Sequence, residues 1–455
     1  MSSVVTALSH RWEAAVAATL EPLTDIKVVR RCADVAELVS VTAAGLGDCA
    51  IVSADLRGLD LGVIDSLHAQ GVWVVGLYQS GDDADERRLH QLGVDTVLPA
   101  DASGPVLADA VRDRSAAAAI PAMDDPGDCE QLSQEAVRLG WRPDGSPDAT
   151  PAPTSDADRA AAGIGVDDRV SGRILAAWGP HGSPGRTTVA VTLGAELASR
   201  GRSVLLVDAD TYGGCIAQVL GLLDEAPGIA AACRAAEHGD LDLVALARVA
   251  PEVMPGLRVL TGLPRADRWP EIRSAALDRV LTVSRSLAEY VIVDCGFCLE
   301  DDEELSYDTQ APRRNEATLT ALAASDEVLA VGGADPVGLQ RFVRGIQELG
   351  SVPSGAPRPV INRVRASAVG TDPRSRISAS LERFAGLADV FFLPDDPAAA
   401  DGALLAGRTI VEHSPESALR RAVGEMASAV APSTARRSAQ QSTWPFRRRV
   451  PAMGS

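Results

Sequence analysis

This sequence predicts an α/β fold built on a mostly parallel sheet, and three observations predict it. Short apolar runs without internal polar residues alternate with helical patterns along most of the chain. Such runs are strands buried on both faces. A glycine-rich turn, Trp178 to Thr188 (WGPHGSPGRTT), joins one of these strands, Arg173 to Ala177, to a helix over Val189 to Ala198. Two later strands end in acidic residues, Asp208-Ala209-Asp210 and Asp294. Ligands of parallel sheets gather at the carboxyl ends of strands, so the turn and these aspartates are placed to converge on one site.

Bulk composition narrows the function classes. The chain has 455 residues, room for two or three domains. A net charge of −19 argues against general affinity for nucleic acid, and no specific nucleic-acid partner is expected. Lys27 is the single lysine, so none near the turn can replace one missing from it. The seven cysteines are odd in number and scattered, unlike a disulfide framework. Neither a signal-peptide pattern nor an apolar run of roughly 20 residues is present, so the expected location is cytoplasmic.

In chain order, residues 1–118 carry strands at Val4 to Leu8, Ala50 to Ser53, Val72 to Leu77 and Asp95 to Pro99. Helical patterns lie between them at Leu61 to His68 and Asp85 to Leu92. This smaller flavodoxin-like unit resembles the receiver domain of two-component signalling, with Asp55 near the phosphoacceptor position. Its chemistry departs from that family: Ser9-His10 stands where an acidic pair is needed, Tyr78 at the switch position, and Pro99 where the lysine falls. The expectation is a degenerate receiver used for docking, with Asp55 a turn residue. Residues 119–170 are rich in Pro, Asp, Ala, Gly and Ser, the composition of a flexible tether that lets the flanking domains move independently. Residues 171–431 form the second domain, with further strands at Ser203 to Val207, Tyr290 to Val293, Glu327 to Val331, Pro359 to Val364 and Val390 to Leu393. Residues 432–455 form a basic tail.

Strand, glycine-rich turn and helix are the layout of a phosphate-binding loop, whose backbone N–H groups and helix dipole face an anion. With VLLVDAD at 204–210, YVIVD at 290–294, Asn362 after Val360-Ile361, and the FLPDD segment at 392–396, residues 173–430 resemble the MinD/ParA family of P-loop ATPases. That family uses the loop KGGxGKTT. The receiver-like unit in front makes the chain similar to CpaE/TadZ proteins of Tad pilus systems and to their actinobacterial septum site-determining (Ssd) branch.

The resemblance implies ATP or ADP with Mg²⁺ as ligand. Gly182, Ser183, Gly185, Arg186, Thr187 and Thr188 would cradle the phosphates, and Asn362 would contact the base. Thr187 would place its hydroxyl on Mg²⁺, and Asp294 would hold a Mg²⁺-bound water. Asp210, with Asp208 nearby, would orient the attacking water. It further implies a homodimer, protein partners in a pilus, secretion or division apparatus, and contact with the inner face of the plasma membrane.

The departures weaken catalysis. Arg186 replaces the loop lysine with a bulkier planar fork. His181 replaces the family's signature lysine, and Pro184 removes a backbone donor. Binding with doubtful hydrolysis is the favoured reading; an active dimerisation switch and a nucleotide-free scaffold are the alternatives. Other features have bland readings: Cys295 and Cys298 as thiols rather than a metal or redox pair, Glu300 to Glu304 as a solvated acidic loop, and the tail as a segment whose Pro445 and Pro451 oppose a helix.

Overall fold

A computed structural model describes residues 2–22, 25–112, 171–182, 184–222, 226–301 and 312–431. The tether, the basic tail, Ser183 and most of the acidic run lie outside the described residues.

The first sheet has five strands: β1 (Ser2–Ala7), β2 (Ile26–Cys32), β3 (Cys49–Ser53), β4 (Trp73–Tyr78) and β5 (Thr96–Pro99). Their order is β2-β1-β3-β4-β5 and every pairing is parallel, the doubly wound flavodoxin-like order. Strand β3 is buried at every residue, which explains its unbroken apolar run. Its two faces feed separate cores, one around Val52, Ile64 and Leu89, the other around Ile51, Val75 and Leu107. The sequence reading lacked β2. That strand lies at the sheet edge and exposes most of the segment Lys27 to Arg31, so it carries no apolar run to detect.

The second sheet has eight strands: β6 (Arg173–Trp178), β7 (Val204–Ala209), β8 (Glu252–Met254), β9 (Leu257–Leu260), β10 (Tyr290–Cys295), β11 (Glu327–Gly333), β12 (Ala356–Val364) and β13 (Phe391–Pro394). They run in the order β13-β12-β11-β6-β10-β7-β9-β8, parallel throughout except for the short β8–β9 hairpin. Strand β6 is therefore central, with β10 and β11 on either side. The helix Arg186–Ser199 that follows it is buried from Val189 through Ala198, packed against Val204, Leu257 and Ile292. Glu196 on this helix is buried, and its charge is met by Arg200 at 2.9 Å and Arg420 at 3.1 Å, as a buried carboxylate requires.

Side chains of the two units touch. Arg88 on the helix Asp83–Gln91 donates from Nε to His238 O at 2.9 Å in the second unit. Its two other nitrogens donate to Ala54 O and Leu59 O, each at 2.7 Å. Ala275 of the second unit packs against the first unit's core. One guanidinium thus ties the loop after β3 to the end of the helix Gly228–His238. Sequence composition had addressed only the tether, and a docked interface depends on side chains from distant elements.

Candidate functional site

The strand–turn–helix expected at Trp178 to Thr188 is present, and its glycines explain the loop path. Gly182 and Gly185 have φ of +106° and +94°, where a side chain would be strained. A Cβ on Gly185 would also collide with Asn362 Nδ2. The Asn362 amide is buried and donates to Pro184 O at 2.9 Å, so β12 is tied to the loop through a side chain. Gly185 then caps the helix beginning at Arg186, and Gly185 O accepts from Val189 N at 3.0 Å. Thr188 contributes its carbonyl to Thr192 Oγ1 at 2.6 Å.

Register brings the carboxylates to this loop. In the β10–β7 ladder Asp294 lies directly opposite Asp208, and Asp294 also pairs with Ala177 of β6. Thr187 Oγ1 donates to Asp294 Oδ2 at 2.6 Å. Arg186 is turned inward: Nη1 donates to Gly179 O and Nη2 to Asp210 Oδ2, both at 3.1 Å. The Arg186 and Asp210 side chains are only 12% and 9% exposed, so this is a nearly buried ion pair. Asp210 Oδ1 accepts from Tyr212 N at 2.9 Å and Gly213 N at 3.1 Å. Asp208 accepts from Ile216 N at 3.0 Å and Asp210 N at 3.3 Å, so it organises the turn after β7.

Electrostatics mark the cluster as under tension. Burial pushes the Asp208 carboxyl up to about 7; the Ile216 hydrogen bond opposes that rise, while the Asp210 charge adds to it. Asp294 is also pushed well above its ordinary value, first by burial and next by the Asp208 charge, against the Thr187 hydrogen bond. Among the described residues three buried side-chain atoms have no hydrogen-bond partner, and two of them, Arg186 Nε and Asp294 Oδ1, are here. An orphaned donor and an orphaned carboxylate oxygen in one buried cluster ask for a ligand that supplies both signs.

The residues fit Mg²⁺ with a phosphate ligand. Thr187 and Asp294 would hold the cation, which would supply positive charge between the carboxylates and the phosphate oxygens. No group of three His, Cys, Asp or Glu among the described residues is arranged to hold a metal unaided. Mg²⁺ characteristically takes one or two carboxylates and completes its shell with phosphates and water. Cys295 is buried in the core, and Cys295 and Cys298 are both free thiols.

Residues that the sequence reading did not single out support the far side. Tyr212 Oη donates to Asn315 Oδ1 at 2.8 Å, and Arg314 lies over the Tyr212 ring at 4.1 Å. Trp178 Nε1 donates to Phe297 O at 3.3 Å, fixing the chain just after Asp294. A cavity beside the loop is lined by Arg341, Arg363 and Arg365. Only Arg363-x-Arg365, a basic pair next to Asn362, could have signalled it in the sequence.

No protein-family model matches the chain. It is 29% identical over 163 residues to the sporulation initiation inhibitor protein Soj of Bacillus subtilis (strain 168), a match covering 35% of this chain. The match spans 57% of the length of that relative. A ParA family ATPase from Chlorobium tepidum TLS superposes with a TM-score of 0.49 at 18% identity, covering 57% of this chain and 99% of that one. The septum site-determining protein MinD of Pyrococcus horikoshii OT3, complexed with Mg-ADP, gives 0.45 at 20% identity, covering 57% and 96%. Among the described residues no helix is long and apolar enough to cross a membrane. Over those 163 residues the chain is similar to Soj, and the strand order and the loop with its paired carboxylates give the second half of the chain a mostly parallel α/β fold of the P-loop type.

Proposed function

We propose that this chain is a nucleotide-binding localisation factor of the CpaE/TadZ type, related to the Ssd branch, that holds ATP or ADP with Mg²⁺ and hydrolyses ATP slowly or not at all. The Arg186–Asp210 pair carries this reading. Orphaned Arg186 Nε and Asp294 Oδ1 leave binding capacity unspent. Asp210, whose part would be to orient an attacking water, is instead engaged by a cation from its own loop. Phosphoryl transfer depends on positioning and charge, so a site that binds while its water-orienting carboxylate is occupied is a sensor before it is a motor.

Residues 1–118 serve in this proposal as a degenerate receiver that docks partners. Asp55 accepts from Ser9 Oγ at 2.8 Å, so a hydroxyl occupies the acidic neighbour's place. The 171–431 domain forms a homodimer and positions a pilus or secretion assembly, or the division septum. Tail residues 432–455 supply weak attraction to anionic lipid.

The test is calorimetry of the full chain with Mg-ATP and Mg-ADP, followed by a phosphate-release assay. Binding without release above the blank, lost in Thr187→Ala, is expected. Failure to bind at millimolar nucleotide sinks the proposal, and turnover abolished by Asp210→Ala establishes a working ATPase in its place.

A further inference from the structure

The cavity on the outer flank of the loop has a volume of about 110 Å³, several times what one water needs. Pro180, His181 and Gly182 form one wall, and Arg341, Arg363 and Arg365 supply its charge. Arg341 projects from the helix Pro336–Leu349 and lies against the loop so closely that a Cβ on Gly182 would collide with its Nη1. Among the described residues neither Arg341 nor Arg363 has an ion-pair partner, while Arg365 lies 3.4 Å from Asp395. Asp335 also lines the cavity, but its Oδ1 already accepts from Val337 N at 3.1 Å and Gly338 N at 3.0 Å. Arg363 has φ of +59°, a left-handed backbone that a non-glycine residue adopts only when its surroundings hold it there. That backbone is held by Asn362, whose Oδ1 accepts from Arg363 N at 2.9 Å while its Nδ2 bonds the loop at Pro184 O.

We propose that Arg341 and Arg363 form a phosphate-oxyanion pocket flanking the loop, which takes a phosphate group and supplies from outside the loop the positive charge that its missing lysines would have brought. Guanidinium forks suit phosphate oxygens, and three arginines against the one carboxylate of Asp335 leave the lining of this small cavity net positive. Asn362 links the parts: the same amide that pins Pro184 orients the Arg363 backbone, so the pocket and the loop share one anchor. The proposal deepens the nucleotide reading and rests on it for the source of the phosphate. A nucleotide's terminal phosphate and a free inorganic anion share the chemistry, and two probes separate them.

The experiment measures binding of Mg-ATP and of inorganic pyrophosphate to the full chain by calorimetry. The variants are Arg341→Gln, Arg363→Gln, both together, and Arg344→Gln as a control on the same helix outside the cavity. The double variant is expected to bind both probes about tenfold more weakly or worse, with each single variant part of the way and the control unchanged. Weakened pyrophosphate with unchanged ATP supports the pocket and assigns it a free anion. Unchanged binding of both probes overturns the pocket and leaves the nucleotide reading standing, and equal loss in the control overturns it as a general charge effect. Wild type that binds pyrophosphate through these arginines but no ATP sinks the nucleotide reading instead. Wild type that binds neither probe overturns both. The single variants keep the test decisive should the double variant melt early.

Discussion

Thr187 donates its hydroxyl hydrogen to Asp294 across 2.6 Å, although 107 residues separate them in sequence. The contact exists because β6, which feeds the loop, and β10, which ends in Asp294, are hydrogen-bonded neighbours. It leaves Asp294 Oδ1 buried with no donor, beside a second buried carboxylate, Asp208. The site is thus assembled at a cost to the unliganded fold.

Asp294→Asn removes a titratable carboxyl from this cluster while preserving shape. The unliganded protein is expected to melt higher, by about 3 °C for a gain near 1 kcal/mol. Affinity for Mg-nucleotide is expected to fall at the same time. Thermal melting with and without Mg-ADP checks both signs, and a lower melting temperature contradicts the strain account.

Arg186→Ala leaves Asp210 nearly buried without its cation, and removal of one partner from such a pair costs about 3 kcal/mol. Arg186→Lys keeps a cation but loses the fork that reaches Gly179 O and Asp210 together. It is expected to bind Mg-ATP more tightly than wild type, by about tenfold, because a compact ammonium releases Asp210 and suits a tight cradle. Denaturant unfolding reads the first variant and calorimetry the second.

Gly185→Ala meets both a left-handed backbone and the Asn362 amide. A loss of about 2 kcal/mol in stability is expected, together with loss of nucleotide binding, whereas Gly201→Ala should cost only its backbone strain because its Cβ would meet open space. Equal effects at the two positions would contradict the close approach of β12 to the loop.

In the first unit the hydrogen bond that His68 Nε2 donates to Asp95 Oδ2 raises the His68 pKa above the ordinary 6.5, with burial opposing it. Because the folded value lies above the unfolded one, the stabilisation is fully present below pH 6.5 and is lost as pH rises through the folded value. The pair is partly exposed, so an effect under about 1 kcal/mol is expected. The difference in unfolding free energy between wild type and His68→Ala, measured from pH 5.5 to 8.5, should shrink by this amount as pH rises, because the buried Asp208 and Asp294 slope both curves alike.

Arg88→Ala removes donors from three carbonyls at once, two of them in the loop after β3. Hydrogen exchange is expected to speed up at residues 54–60 and near His238 together. Acceleration confined to one unit would mean that the two are not coupled through this side chain.

Much of this was legible in the sequence because strands buried on both faces advertise themselves as apolar runs: β3, β4, β6, β7 and β10 lie where those runs are. Strand β2 carries charges because it is an edge, β8 spans only three residues, and the four-residue β9 is interrupted by Arg258. Arg88 had no sequence signal at all, since its partners are backbone carbonyls from two separate segments.

By itself the sequence determined the α/β class, the strand–loop–helix and the identity of Asp208, Asp210 and Asp294 as residues at strand ends, because period and turn chemistry are local. Only the tertiary structure decided that Arg186 faces Asp210 rather than solvent, that Asp294 keeps an unmet oxygen, and that Arg341 reaches over Gly182. Those outcomes depend on strand order and register, which bring side chains more than a hundred residues apart within hydrogen-bonding distance.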